Sequence, residues 1–191
     1  VIKQATMAWL DHYVMGSPES TGPQFQWVDQ RGQWYSSNTY PVTPGAQIVT
    51  SSSQPRSLPL VPYLGGSGIP FVPFAFKAPY ALNLKVPAAT TTTYVVGAPK
   101  LSLSYSGTGS STHVYAQLVD NRTGLVLSNL ATPIPVTLDG QSHTIDIPLE
   151  PVSYTMRPGD SVTLQLVGSA GLYATVIPSS GVLNVSNMQL T

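Results

Sequence analysis

Cysteine is absent from this chain of 191 residues, and charged side chains make up only 8% of it. Without cysteine there is no disulfide framework, no thiol nucleophile and no thiolate metal site. Soluble domains usually carry about 25% charged residues, so uncharged polar side chains must cover much of the surface. The formal net charge is zero and no Lys/Arg cluster is present. These features argue against nucleic acid or an anionic membrane as a partner.

A continuous apolar run long enough to cross a bilayer is also missing. A spanning helix needs about 20 apolar residues, whereas the most apolar region, residues 58–76, contains four prolines. The first residues do not resemble a signal peptide, because no basic segment precedes an apolar run. Since the chain starts with Val1 and not Met, we expect it to be part of a longer polypeptide. The Ser/Thr-rich composition fits a secreted or cell-envelope bacterial protein and leaves the compartment open.

The start of the chain has a helical pattern, and most of the remainder has the pattern of strands. Apolar side chains recur through the first 14 residues and end before Gly16, which predicts one helix of about three turns. At Phe25 and Trp27 the apolar period changes to two, which predicts a half-buried strand whose hairpin partner contains Trp34. Residues 40–79 are rich in Pro, Gly and Ser and too long for an ordinary loop. We expect them to form an arm that covers another surface.

Short alternating strands are predicted from residue 80 to the end of the chain. The residues expected on buried faces are Leu82, Leu84 and Val86; Leu101, Leu103 and Tyr105; Val114, Ala116 and Leu118; Ile145, Ile147 and Leu149; and Val162, Leu164 and Leu166. A turn at residues 120–124 predicts a hairpin whose second strand contains Val126 and Leu127. A second turn is predicted at residues 157–160, and a last strand at residues 182–185. Many short strands separated by turns predict a mainly β protein, a β-sandwich.

Three segments carry a likeness to a known family. They are Trp9-Leu10-Asp11-His12-Tyr13-Val14-Met15-Gly16 with the following Phe25-Gln26-Trp27-Val28 and Trp34; Val96-Gly97-Ala98-Pro99-Lys100-Leu101-Ser102-Leu103; and Arg157-Pro158-Gly159-Asp160-Ser161-Val162-Thr163-Leu164. In this order they resemble the C-terminal jelly-roll domain of the X-Pro dipeptidyl-peptidase and cocaine esterase family of α/β-hydrolases. The likeness spans nearly the whole chain, with Val14 at a position where the family usually carries Leu.

The resemblance implies a fold and a domain organisation. It implies a jelly-roll β-sandwich, similar to galactose-binding domains, with a short N-terminal helix and a long Pro-rich arm. Residues 1–191 are then a single C-terminal domain. Its parts are a helix and linker left from the hydrolase domain (1–22), the first strands and the Pro-rich arm (23–79), and the regular sandwich (80–191).

The resemblance also implies a function for the chain. It would be a non-catalytic domain that packs on the α/β-hydrolase catalytic domain of the same polypeptide and helps shape the substrate pocket. The catalytic Ser, acid and His of such enzymes precede the helix that opens this chain. The parent protein would then be a serine hydrolase, a dipeptidyl peptidase or an esterase, and this chain alone would have no catalytic residues and no cofactor.

Independent features of the sequence agree with the absence of a catalytic site. A nucleophile elbow needs Gly-x-Ser-x-Gly between a strand and a helix, and the nearest segment, Gly65-Gly66-Ser67-Gly68-Ile69, lies among prolines where no helix is expected. His113 and His143 are expected on or beside strands, and His12 on the helix, without a partner at a short metal-ligand spacing. No metal site is assigned. The acidic residues are scattered, so a structural calcium ion is left open.

Aromatic residues are the candidates for binding surfaces. Trp9 and Tyr13 on the helix, together with Phe71, Phe74 and Phe76 in the arm, are the candidate interdomain interface. The alternative is a carbohydrate-binding module of galactose-binding type, because aromatic rings also stack on sugars. The candidate sugar platform then consists of Trp27, Trp34 and Tyr63.

Overall fold

The computed structural model describes residues 2–61, 75–173 and 180–191. They form two compact units, Val1–Gly45 and Ala46–Thr191. The first unit contains helix α1 (Ile2–Tyr13) and strands β1 (Phe25–Val28) and β2 (Trp34–Ser37). The second contains β3 (Thr50–Ser52), β4 (Arg56–Leu60), β5 (Leu82–Lys85), β6 (Thr93–Gly97), β7 (Lys100–Gly109), β8 (His113–Asp120), β9 (Thr132–Pro135), β10 (His143–Pro148), β11 (Val152–Met156), β12 (Val162–Val167) and β13 (Gly181–Leu190).

The first unit consists of the predicted helix and the predicted hairpin. Helix α1 ends where the chain turns through Gly16, whose φ is +71°, a conformation that glycine adopts without strain. The amide of Ser17 donates to the carbonyl of Asp11 at 2.9 Å and closes this end. Strands β1 and β2 pair antiparallel, with Trp27 opposite Tyr35 and Val28 opposite Trp34. The sequence prediction is confirmed for these elements.

The second unit is a jelly-roll β-sandwich, the predicted fold class. One sheet has the order β10–β7–β13, and both β3 and β4 pair with β13 at its open side. The other sheet has the order β5–β12–β8–β9, and β6 and β11 form a separate two-stranded ribbon. All described strand pairs are antiparallel.

The core between the sheets contains the alternating residues that the sequence predicts, except that Ile145 and Ile147 are only partly buried. Leu101, Leu103 and Tyr105 on β7 belong to the same buried cluster as Leu164 and Leu166 on β12. Each of these side chains is at most 3% exposed. Burying such a side chain stabilises the folded state by about 1.5–3 kcal/mol. The period-two pattern therefore identifies the inner face of each central strand.

Strands β8 and β12 are buried on both faces, which alternation alone does not predict. Val114, Ala116 and Leu118 of β8 belong to the main core, whereas Tyr115 and Val119, which alternate with them, belong to two smaller clusters. These clusters also contain Ala75 and Ala78. Residues 75–80, which we call the strap, therefore lie across the outer face of this sheet.

The strands between residues 46 and 61 were not predicted. Strand β3 pairs with residues 188–190 of β13, and β4 pairs with residues 181–185. The sequence predicts that the regular sandwich begins at residue 80. The second unit begins at Ala46 instead, because β3 and β4 pair with β13. The part of the arm that the structure describes thus contains two strands of the five-stranded sheet.

The predicted return strand after the turn at residues 120–124 is wrong in its length. Val126 forms one bridge with Val119, and then a short 3-10 turn at Leu127–Asn129 leads the chain away. Ser128 and Asn129 have φ values of +54° and +56°, which break the strand. Strand β8 pairs with β9 instead.

No helix in the described part of the chain is long and apolar enough to span a membrane.

Candidate interaction surfaces

Helix α1 presents large apolar side chains to the outside. Trp9 is 52% exposed and Tyr13 is 63% exposed, and their ring centroids lie 5.0 Å apart. Residues four apart share one face of a helix, and Ile2 lies on the same stripe, seven positions before Trp9. No residue of the helix is buried. The helix therefore carries an uncovered aromatic stripe.

The chain that follows the helix contacts His12, outside the stripe of Trp9 and Tyr13. The Nδ1 atom of His12 lies 2.8 Å from the carbonyl oxygen of Glu19, and its ring meets the ring of Tyr13 edge-on at 4.6 Å. His12 therefore contacts the neighbouring chain at Glu19, whereas Trp9 and Tyr13 remain exposed. Both residues of the predicted interface on the helix are thus brought together.

The hairpin β1–β2 has an aromatic stack on one face. Trp27 stacks between Phe25 and Tyr35, at centroid distances of 5.4 and 5.6 Å, and Phe25 also meets Tyr40 at 4.9 Å. Trp34 lies on the opposite face, because its pairing partner is Val28 and not Trp27. The hairpin therefore separates the two tryptophans of the candidate sugar platform. Tyr63, its third member, lies outside the described residues.

Asp29 organises the hairpin turn. Its Oδ1 atom accepts hydrogen bonds from the amides of Arg31 at 2.9 Å and Gln33 at 3.0 Å, and its Oδ2 atom accepts one from the Tyr35 hydroxyl at 3.3 Å. Asp29 is the one buried residue among residues 2–45. The described part of the first unit, residues 2–45, therefore has regular secondary structure and no buried apolar side chain.

The strap carries a second pair of exposed aromatic residues. Phe76 is 54% exposed and Tyr80 is 62% exposed, while Ala75, just before Phe76, and Ala78, between the two aromatic residues, are buried. Phe76 is a member of the predicted interface. Its other predicted members in the arm, Phe71 and Phe74, lie outside the described residues.

The described residues do not assemble a Ser-His-acid triad. The His143 Nε2 atom lies 2.8 Å from the Asp139 carboxylate, and the His113 Nδ1 atom lies 3.0 Å from the Thr112 hydroxyl. His12 contacts a backbone carbonyl. None of these described histidines is hydrogen-bonded to both a hydroxyl and a carboxylate, as a triad requires. Within the described ranges, no group of three or more His, Asp or Glu side chains could hold a metal ion.

Asp120 holds the turn at one end of the sandwich. Its carboxylate accepts hydrogen bonds from the Arg122 amide at 2.8 Å and the Thr123 hydroxyl at 2.9 Å, and it lies 3.5 Å from the Arg122 guanidinium. Tyr154 is buried beside it, and its hydroxyl has no hydrogen-bond partner among the described residues. Burial, and then the negative charge of Asp120, raise the pKa of Tyr154.

We expect the raised pKa of Tyr154 to make the protein less stable in alkali. Above pH 10 the unfolded chain loses the Tyr154 proton while the folded chain retains it, so the free energy of unfolding falls as pH rises. Tyr154→Phe should remove this loss, which amounts to about 1 kcal/mol between pH 10 and 11. At pH 7 Tyr154 is protonated in both the folded and the unfolded chain, so the stability measured there is the reference for each protein. Urea unfolding at pH 7, 10 and 11 measures the free energy of unfolding of the wild type and of the variant. The prediction would be contradicted if both proteins lost the same free energy of unfolding between pH 10 and 11.

Comparisons with solved structures find chains with a similar fold. No protein-family model matches the sequence, and no curated protein matches it. The chain is similar in structure to an aminopeptidase from the marine sediment archaeon Thaumarchaeota archaeon, with 15% identity and a TM-score of 0.56 over 99% of this chain and 43% of that chain. It is also similar to an alpha-amino acid ester hydrolase, with 15% identity and a TM-score of 0.58 over 97% of this chain and 43% of that chain. A third similar structure is a CocE/NonD family hydrolase from Staphylococcus aureus, with 11% identity and a TM-score of 0.54 over 98% of this chain and 45% of that chain.

This chain has the fold of one part of these hydrolases. It spans less than half the length of each of the three solved chains. The likeness covers almost all of this chain, including the helix and hairpin of the first unit as well as the sandwich. The predicted fold of the hydrolase-associated jelly roll is thereby confirmed.

Proposed function

We propose that this chain is the non-catalytic β-domain of a serine hydrolase of the X-Pro dipeptidyl-peptidase and cocaine esterase type. It packs on an α/β-hydrolase catalytic domain of the same polypeptide and helps shape the substrate pocket of that domain. The observation that carries the proposal is that residues 2–45 form a helix and a hairpin without burying any apolar side chain. Ordering such a segment costs conformational entropy, and apolar contact with a further domain would offset that cost.

The solved structures support a hydrolase as the whole protein. Their names describe an aminopeptidase, an amino acid ester hydrolase and a CocE/NonD family hydrolase. More than half of each of those chains lies outside the part that resembles this one, which leaves room for a catalytic domain. We therefore assign the nucleophile, the acid and the base of the reaction to residues outside this chain.

The surfaces proposed to contact the catalytic domain are aromatic and weakly charged. Trp9 and Tyr13 on α1 and Phe76 on the strap are half exposed or more, and Trp and Tyr often dominate the energy of protein interfaces. The composition of these surfaces differs from the Ser/Thr-rich outer face of the five-stranded sheet, where Ser104 meets Thr144 and Ser57 meets Asn184. The apolar surfaces then dock on the catalytic domain, and the hydroxyl-rich face stays in contact with solvent.

Activity measurements on separated and combined polypeptides test this proposal. The chain is assayed alone on p-nitrophenyl esters and X-Pro p-nitroanilides, and then together with the separately expressed region that its gene encodes upstream. We expect no turnover by the chain alone and turnover with one substrate class after mixing. Turnover by the chain alone that a serine-directed phosphonate abolishes would overturn the proposal, and so would an upstream region whose activity is indifferent to the chain.

A further inference from the structure

The strap is attached to the sheet beneath it by the side chain of one buried residue. The Gln165 carboxamide accepts a hydrogen bond from the Ala78 amide at 2.8 Å and donates one to the Ala78 carbonyl at 3.1 Å. Gln165 is 0% exposed and lies in the middle of β12. Its side chain therefore contacts both backbone polar groups of Ala78, as a neighbouring strand would do.

The remaining hydrogen-bonding positions of Gln165 are also used. Its Oε1 atom accepts from the Gln117 side chain at 2.9 Å, and its Nε2 atom donates to the Asn83 side chain at 2.9 Å. A carboxamide has two acceptor and two donor positions, and all four are satisfied here. If the strap shifted while still covering the sheet, two positions of a fully buried amide would lose their partners, which is costly. The network therefore specifies one position for Ala78.

Hydrogen bonds anchor the strap more than apolar packing does. Upstream of Ala78, the Val126 amide donates to the Ala75 carbonyl at 2.8 Å, and the Lys77 amide donates to the Gly124 carbonyl at 2.8 Å. The apolar contacts of the strap are made by Ala75 and Ala78, whose methyl groups bury little area. Gln165 is thus the anchor at the downstream half of the strap.

We infer that Gln165 is a positioning residue for the exposed aromatic residues of the strap. Ala78 lies two residues after Phe76 and two residues before Tyr80, so the amide of Gln165 holds the backbone midway between them. The backbone part of this inference stands on the hydrogen bonds alone. The step from strap position to docking of the catalytic domain rests on the proposed function.

Hydrogen exchange of the Ala78 amide tests the backbone part. In the wild-type chain this amide should exchange at least about 100-fold more slowly than an unprotected amide, although it lies outside any strand. Gln165→Met should speed its exchange at least about tenfold, because the acceptor is lost. Gln117→Met is the matched control: Gln117 is equally buried on the neighbouring strand and has no bond to the strap, so the change should be less than about threefold. An unprotected Ala78 amide in the wild type would overturn the inference without any variant.

Limited proteolysis supplies a readout that general loss of stability would not reproduce. Chymotrypsin should cleave Gln165→Met faster after Phe76 and Tyr80 than the wild type, by about tenfold. Cleavage after Tyr94, which is exposed in β6 of the separate ribbon, should change little. Equal acceleration at all three sites would show that Gln165 only supports the sheet, and would overturn its positioning role.

Binding of the upstream region separates the two proposals. Phe76→Ala, which removes a proposed contact directly, and Gln165→Met should both weaken association. If Phe76→Ala weakens binding and Gln165→Met does not, the proposed function stands and the positioning role of Gln165 fails. If neither variant changes binding while Gln165→Met frees the Ala78 amide, the anchor stands and docking through the strap fails.

Discussion

Replacing Trp9 and Tyr13 together by alanine should weaken association of this chain with its proposed catalytic domain by at least about 100-fold. Truncating a well-packed interface Trp or Tyr commonly costs about 2 kcal/mol or more, and 1.4 kcal/mol corresponds to a factor of ten in Kd. The two rings lie 5.0 Å apart on one stripe of α1, so one partner surface would cover both. Titration calorimetry or surface binding with the upstream region measures the change.

The matched control lies on the same helix. Gln4→Ala with Asp11→Ala changes two exposed residues on the opposite side of α1, and alanine retains helix propensity. This variant should bind like the wild type. Because neither Trp9 nor Tyr13 is buried, their replacement should also leave urea unfolding of the isolated chain unchanged. Equal binding losses in both double variants would contradict docking through the aromatic stripe.

Gly109→Ala should produce the largest loss of stability among the glycine substitutions considered, about 3 kcal/mol or more. Gly109 lies at the end of β7 opposite Gly181 of β13 and has a φ of +143°. A Cβ atom there would overlap the carbonyl oxygen of Ser180 and the Cα atom of Gly181. Backbone atoms cannot rotate away as a flexible side chain can, so the ends of β7 and β13 would have to separate. Chemical unfolding measures the loss.

Gly97→Ala separates the steric overlap from the backbone strain. Gly97 has a φ of +121°, but a Cβ atom there would have no neighbour within 4 Å. Its replacement should therefore cost only the strain of an alanine in this conformation, about 1–3 kcal/mol. The prediction for Gly109 would be wrong if the two variants lost equal stability.

Local sequence patterns were informative about strands that alternate clearly. Leu101, Leu103 and Tyr105 could be assigned to a buried face because the intervening positions are serines. Strand β4 could not be found in this way, since Pro59 interrupts it and proline is normally excluded from central strands. Its partner β13 begins more than 120 residues later in the chain, and no local pattern reports a pairing over that distance.

The candidate surfaces were likewise predicted from the sequence only where a local pattern is enough to place the residues. Trp9 and Tyr13 were predicted as interface residues because they are aromatic side chains on the predicted helix. The separation of Trp27 from Trp34 depends on the hairpin register, in which Val28 and not Trp27 is opposite Trp34. Gln165 gave no signal in the sequence, because a polar residue in an alternating strand is expected to face solvent.

The order of apolar and polar residues by itself determined the helix, the central strands and their inner faces, because these depend on periods of 3.6 and two within short segments. The exposure of α1, the covering of the outer sheet face by the strap and the burial of Gln165 were decided only by the tertiary structure. Each depends on whether a segment distant in sequence occupies the second face of an element. Local periodicity carries no information about that second face.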